Sequence, residues 1–509
     1  MREIWSKTKK CATLVIDIGT SSARLLVIDR KGVICTKFQK NYPLYVLNES
    51  TAIQKPEEVM EKIWEMLKAA GEWLGQNQME AEVISVTGQR SSVIPVDEYG
   101  SAMTEAISWQ DRRAAEICLE YKNEWKKIYQ ITGMKLSPVF SAPKMVWLKK
   151  NKPEVYQRAY KLIGFQEYVI YQLTHQFATD HSIASRTSLF DIKKLEWSEE
   201  LLLIFGVKKE KLCSLIPVGG IVGNTIDEVS KCLKQRTSIP VISAGGDQQC
   251  AALGLGCLEH GDMEVNSGTG AYVIGLSDVP VLDKKMSVNC NVSAIPGKWI
   301  VEGAVLSAGK AAAWMNEQFF PESKGDFKEF SKVLEESCPG ANGVIASTSF
   351  SGKGTPRWNP SVRAGFMGIG FENNKGDLVR ALLEGIAAEL SECVKEVERV
   401  VGGNQKSILA AGGMTGNPVY CQILSDMFQK EVKKPKEMEA TGLGAWISAQ
   451  KTLGNVDNYQ EGYERYAENG EDLCYEPDPD TEILYQNTNK LRNYYEAFYE
   501  SYEKKEAEL

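Results

Sequence analysis

The chain has 509 residues, too many for one ordinary hydrophobic core, so two domains with additional elements is the length expectation. Apolar residues make up 43% and charged residues 25%, which excludes the disordered and fibrous classes. A net charge of −8 argues against nucleic acid as the main partner, yet it leaves room for a nucleotide, because backbone amides and a metal hold phosphate without many cations.

In chain order, residues 1–10 lack the apolar run of a secretory signal. The first strand follows at once as Leu14-Val-Ile-Asp17-Ile-Gly19-Thr20-Ser21-Ser-Ala-Arg24, a strand, a Gly-Thr turn and a second strand. A hairpin turn is expected at Asp29–Gly32. Pro56-Glu-Glu opens a helix with Val59, Ile63, Leu67, Ala70 and Leu74 on one face. Val83–Val86 reads as a buried strand that ends in Thr87-Gly-Gln-Arg90, a change from apolar to polar that suits a strand end opening into a cleft. Another strand enters the glycines before Asp247, and the domain boundary is placed there, dividing 1–243 from 244–509. The strand–turn–strand pattern then recurs at Met263-Glu-Val-Asn266-Ser-Gly268-Thr269-Gly270. Two such turns, one in each half, suggest related domains that face each other and hold a polyphosphate between them. A long helix from Val379 to Val401 stops at Gly402-Gly403-Asn404, a strand from Ile408 feeds Gly412-Gly413, and a helix runs through Phe428. From about 456 a helical tail is expected, with Leu484, Leu491, Tyr495, Phe498 and Tyr502 as its packing face.

Nothing along the chain is apolar enough to cross a bilayer, and the twelve cysteines are scattered without a C-x-x-C pair, so reduced thiols, a cytoplasmic location and no membrane partner are expected. Three histidines offer little material for a zinc site or a Ser-His-Asp triad. Asp17, beside the first turn, can hold a magnesium ion that also touches phosphate, or it can simply form the turn. Asp247, between glycines and an apolar helix, can accept a proton from a hydroxyl that attacks a γ-phosphoryl group, or it can cap the helix. Gly303–Lys310 is not a P-loop, because its glycines are six apart and Ala311 replaces the required hydroxyl residue. No G-x-G-x-x-G follows a strand, so a Rossmann dehydrogenase has no support.

Taken together these segments resemble the FGGY carbohydrate kinases, from about Thr13 to the final helix. Asp17–Arg24 is similar to that family's first phosphate motif, Asn266–Gly270 to its second, and Gly412-Gly-Met-Thr-Gly-Asn417-Pro to its adenosine motif. Glu439-Ala-Thr-Gly-Leu-Gly444-Ala, Asp180–Asp191 and Ser108-Trp-Gln-Asp-Arg-Arg113 match further blocks in the family's order. The resemblance implies two ribonuclease-H-like α/β domains of the actin/hexokinase type around a deep cleft, with Asp247 as general base, Asp17 near magnesium, and ATP as phosphoryl donor. It implies nucleotide contacts at Thr20, Ser21, Arg24, Gly268, Thr269, Gly309, Gly412, Gly413 and Asn417. It implies sugar or polyol contacts at Gln89, Arg90, Trp109, Asp111 and Asp247, with Ser91 beside them.

The Gln-Arg pair, Trp-Gln-Asp-Arg-Arg and Ala-Ser-Arg-Thr resemble glycerol kinase. That enzyme has Gln-Arg-Glu where this chain has Gln89-Arg90-Ser91, and a Tyr where it has Val139. Losing a carboxylate and a phenol removes hydrogen-bond partners from a small polyol. Xylulokinase carries Met-His after its Gly-Gln, where this chain has Arg90-Ser91. The expectation is a kinase for a ketose, such as a pentulose, or a polyol larger than glycerol; glycerol kinase is the alternative. An actin- or chaperone-like ATPase clamp and a sugar-binding regulator without turnover are the readings from other classes. A homodimer is carried as an assembly expectation.

Overall fold

The repeated Gly-Thr turn is the tip of a hairpin in each of two sheets. A computed structural model describes residues 10–359, 361–403, 405–435, 439–467 and 472–506, apart from the side chains at 500 and 502–506. The expectation for the amino-terminal leader and the stop residue Asn404 lie outside them.

In the first sheet β1 (Lys10–Ile18) pairs antiparallel with β2 (Ser22–Asp29), and β2 with β3 (Ile34–Asn41). On its other side β1 pairs parallel with β4 (Met79–Gly88), and β5 (Ile221–Asn224) and β6 (Pro240–Gly246) complete the order β5-β6-β4-β1-β2-β3. The second sheet repeats this plan with β7 (Met263–Ser267) in the place of β1 and β8 (Ala271–Ser277) in the place of β2. Strands β9 (Asn289–Val292) and β10 (Trp299–Val305) extend its antiparallel side; β11 (Ser407–Ala411), β12 (Glu431–Lys434) and β13 (Leu473–Tyr475) extend the other, in the order β9-β10-β8-β7-β11-β12-β13. Parallel pairing of β4 with β1 and of β11 with β7 aligns strand ends around each Gly-Thr turn.

Helix α1 (Pro56–Gln76) begins at a proline with Glu57 and Glu58 in its first turn and buries Val59, Ile63, Leu67, Ala70 and Leu74, as the spacing predicts. Each of Val59, Ile63, Leu67 and Leu74 contributes about 1.5–3 kcal/mol on burial.

The expected division at 243/244 falls inside β6, whose ladder to β4 runs to Gly246 opposite Gly88. Nor does the carboxy-terminal half keep to the second sheet. Helix α8 (Ala440–Thr452) lies on the first: Ser85 Oγ donates to the Ala445 carbonyl at 2.8 Å, Gln450 Nε2 to Thr13 Oγ1 at 2.8 Å, and Trp446 Nε1 to the Asp29 carbonyl at 3.0 Å. It crosses helix α4 (Asp247–Leu255) at close range. A Cβ on Gly444 would lie 1.8 Å from the Cys250 carbonyl oxygen, and one on Gly254 would lie 1.9 Å from that of Ala440. Only glycine permits this approach.

The tail is mixed, since β13 pairs antiparallel with β12. Helix α9 (Glu482–Glu506) presents a different face from the one its apolar residues predict. Leu491 is 55% and Phe498 66% exposed, Leu484 and Tyr495 are half-buried, and Tyr485, Thr488, Arg492 and Glu496 face inward. The reason is charge pairing: the buried Glu496 carboxylate takes Lys353 and Arg357, and Arg492 Nε donates to the Ala346 carbonyl at 2.7 Å. The side chain of Tyr502 lies outside the described residues. Among the described residues no helix is long and apolar enough to cross a membrane.

Gly444→Ala is expected to destabilise the chain by about 1–3 kcal/mol or more through overpacking. Gly75→Ala on α1, whose Cβ meets nothing within 4 Å, should be neutral or stabilising by about 0.4–1 kcal/mol. Denaturation midpoints of the two variants check the contrast; equal midpoints would contradict the close crossing.

Candidate active site

The first Gly-Thr turn is held by its carbonyls. Tyr42 Oη donates to Gly19 O at 2.6 Å, Gln89 Nε2 to the same oxygen at 3.2 Å, and Gln54 Nε2 to Thr20 O at 2.8 Å. Trp109 Nε1 donates to Thr20 Oγ1 at 2.9 Å, joining the expected sugar-side tryptophan to the expected phosphate turn. Asp17, where β1 ends, is buried. Burial pushes its carboxyl up to about 7; Arg24 opposes the shift, and the carboxylates of Asp247 and Glu439 add to it. Arg24 Nη1 stands 3.7 Å from Asp17 and 3.3 Å from Glu439, which Lys37 also pairs at 2.7 Å.

The second turn is packed against two other segments. Gly309 N donates to Gly268 O at 2.8 Å and Lys310 N to Thr269 O at 3.0 Å, where helix α5 (Gly309–Phe319) begins. A Cβ on Gly309 would lie 2.5 Å from Gly268 O, and one on Gly412, whose φ is +95°, would lie 2.5 Å from Ser267 O. Gly413 faces open space. The Asn417 side chain caps helix α7 (Pro418–Phe428), accepting from Val419 N at 2.9 Å, and donates to Ser331 Oγ at 3.2 Å. Turns 268–270 and 412–416 and the start of α5 therefore form one glycine-lined surface.

Asp247 is the first residue of α4, next to the turn that ends β6. Its Oδ1 accepts from Gln248 N at 2.8 Å and lies 3.3 Å from Arg90 Nε. Burial raises its carboxyl above the ordinary value, while Arg90, the Gln248 amide and Arg186 pull the other way. Arg90 Nη1 continues to Glu302 Oε2 at 3.1 Å, and Arg186 Nη1 reaches Glu302 Oε1 at 3.1 Å and Asn291 Oδ1 at 3.1 Å. Glu302 is on β10 of the second sheet, whereas both arginines come from segments beside the first, so one buried carboxylate is shared across the cleft. The two arginines hold it below its usual value against the opposing effect of burial.

Asp111, expected beside the sugar, has a buried carboxylate engaged by its own loop, accepting from Ala52 N at 2.9 Å and from Arg113 N at 3.0 Å and Nε at 2.9 Å. Ser91 adopts φ +72° and donates through Oγ to the Arg186 carbonyl at 3.2 Å. Behind it Gln89, Ser91, Ser92, Glu167 and Thr187 line a small cavity, where Gln89 Oε1 and Ser92 Oγ are buried without a protein partner; a water suits it. Sequence reasoning missed Arg186, Glu302 and Tyr272, whose phenol is raised by burial and by Glu302. The available signal was a glutamate interrupting the apolar run Trp299–Val305.

Two repeated α/β domains with phosphate-type turns and a half-buried carboxylate at a helix start define a two-domain phosphotransferase of the actin/hexokinase type. The amino-terminal domain of the FGGY family of carbohydrate kinases matches residues 12–254, and that family's carboxy-terminal domain matches 263–452. The chain belongs to the FGGY family of carbohydrate kinases. It is 28% identical to a gluconokinase of Bacillus subtilis over 88% of each chain. It is 33% identical to a glycerol kinase of Thermococcus onnurineus over 89% of this chain and 90% of the other. The ligand-bound structure of xylulose kinase from Lactobacillus acidophilus superposes with a TM-score of 0.87 at 25% identity, covering 95% and 97% of the two chains. The protein is an ATP-dependent sugar or polyol kinase, and the ATPase-clamp and regulator readings are set aside.

Glu302→Gln would remove the anion that two buried guanidiniums share, a change that costs about 3–5 kcal/mol in such pairs. Urea unfolding of the variant should show that loss; an unchanged midpoint would contradict the shared-carboxylate geometry.

Proposed function

We propose that this kinase transfers the γ-phosphoryl group of Mg-ATP to a hydroxyl of a ketose, a pentulose being favoured, with Asp247 as the general base. The observation that carries the reading is the position of Asp247: a half-buried carboxylate, raised in pKa, starting a helix and oriented by Arg90. An acceptor hydroxyl beside it gives up its proton to the carboxylate as the oxygen attacks phosphorus, and the raised pKa makes the carboxylate a stronger base. Arg90 Nε fixes which oxygen faces the acceptor. The chain's contribution is otherwise positioning: the glycine surface at 268–270, 309 and 412–413 receives the nucleotide, with Thr20, Ser21, Arg24, Thr269 and Asn417 around it. Gln89, Arg90 and Trp109 border the acceptor.

Magnesium fits the donor set. Such an ion is usually held by one or two carboxylates together with substrate phosphates. Among the described residues no three His, Cys, Asp or Glu side chains converge as a full cage, while Asp17 presents a carboxylate beside the first turn whose pKa burial raises, with Arg24 opposing the shift. When bound there, the ion would neutralise charge on the transferring group.

The acceptor preference is supported by the short side chains at Ser91 and Val139, positions where glycerol kinase carries a carboxylate and a phenol. The expected outcome is a higher kcat/KM for a pentulose than for glycerol; the reverse order in a direct comparison would return the chain to the glycerol alternative, and a preference for gluconate would reject both.

Asp247→Asn should lower kcat by about 10²–10⁴-fold while both KM values change little. Unchanged kcat would remove Asp247 from the base role. In the wild type the carboxylate form is present above the raised pKa of Asp247 and lost below it, so kcat falls on the acid side, and steady-state rates against pH should show that limb.

A further inference from the structure

Lys144 on helix α2 (Ser141–Asn151) is fully buried, and its ammonium meets three main-chain oxygens instead of a bonded carboxylate: Ser91 O at 3.1 Å, Val139 O, and Phe140 O at 3.4 Å. Burying an ammonium group costs several kcal/mol unless its donors are matched, so its place needs a reason beyond packing. Ser91 O belongs to the segment that carries Arg90, whereas Val139 O and Phe140 O belong to the segment packed on Arg186. Ser91 follows Arg90 directly and sits at φ +72°, a left-handed conformation costly for a residue other than glycine. Its hydroxyl donates to the Arg186 carbonyl, the Phe140 ring lies 4.9 Å from the Arg186 guanidinium, and Ala142 N donates to Thr187 O at 2.8 Å.

We infer that Lys144 is a positioning residue for the acceptor side: its ammonium holds the strained Arg90-Ser91 turn against the Val139–Phe140 segment and thereby sets where Arg90 meets Asp247 and Glu302. The inference rests on the reading of Asp247 and Arg90 given above. Lys144 touches no reacting group. Three oxygens require three N–H donors, which the ammonium has and the neutral amine lacks. The charged groups facing it are Asp111, which favours the ammonium, and Arg186, which opposes it; the Cys118 thiol is also near, and burial pushes Lys144 down to about 7. The protonated form is present below that value and lost above it, so acceptor affinity weakens on the alkaline side.

The test uses the full chain with its best acceptor and compares wild type, Lys144→Met and Lys144→Arg for kcat and both KM values between about pH 6 and 9. Lys144→Met should raise the acceptor KM about tenfold or more with the ATP KM nearly unchanged. Lys144→Arg, charged throughout, should recover part of that loss and lack the alkaline rise of the wild type. A folded Lys144→Met with the wild-type acceptor KM, or with both KM values raised together, overturns the inference. If Lys144→Met does not fold, superimposable pH profiles of wild type and Lys144→Arg overturn it. Failure of the Asp247 reading would show separately, as kcat retained in Asp247→Asn.

Discussion

The proposed acceptor side of this kinase depends on one buried carboxylate. Glu302 reaches from the second sheet and is held by Arg90 and Arg186, both carried by segments packed on the first. A charge taken out of water is tolerated only when it is paired with good geometry, and here the pairing spans the cleft. Arg90 turns its Nε to Asp247, so the group that orients the proposed base is also the group that joins the domains. Rigid-body displacement of either domain would separate Glu302 from its partners and move Arg90 relative to Asp247. Acceptor chemistry and domain arrangement are thus linked through a single guanidinium.

The proposed nucleotide side follows a different logic, built from backbone and glycine. The turns at Gly19 and Gly268 repeat because each sheet repeats the same hairpin with a parallel strand beside it. At Gly309 and Gly412 the neighbouring carbonyls are so close that a side chain has no room. Phosphate recognition by amides needs few fixed cations, which is how an acidic chain can bind ATP. The crossing of α4 and α8 at Gly254 and Gly444 anchors the start of α4, and with it Asp247, to the first sheet.

Much of this was legible in the sequence because it is local. A β-branched run, a glycine and a hydroxyl residue mark the turns; a proline with acidic neighbours marks α1; glycines before an apolar helix mark Asp247. What escaped was long-range. The face of α9 is decided by Glu496 meeting Lys353 and Arg357, and apolar periodicity assigns Leu491 and Phe498 inward when they are exposed. The partners of the Asp111 carboxylate, Ala52 and Arg113, also come from the folded loop and could not be read from the sequence. Glu302 and Arg186 gain their meaning only when two sheets face each other. The expected boundary at 243/244 lies inside β6 for a related reason: β6 and α8 join the first sheet through ladder and helix contacts that run across the linear order of the chain.

The most direct test of the shared-carboxylate account is a double-mutant cycle of Arg90→Met and Glu302→Gln, read in kcat/KM for the acceptor. Coupled groups give interaction energies of about 0.5–3 kcal/mol, whereas independent sites add within about 0.3–0.5 kcal/mol. The account predicts strong non-additivity, the double variant losing much less than the sum of the single losses. Additive losses would mean that Arg90 orients Asp247 without help from the second domain, and would contradict it.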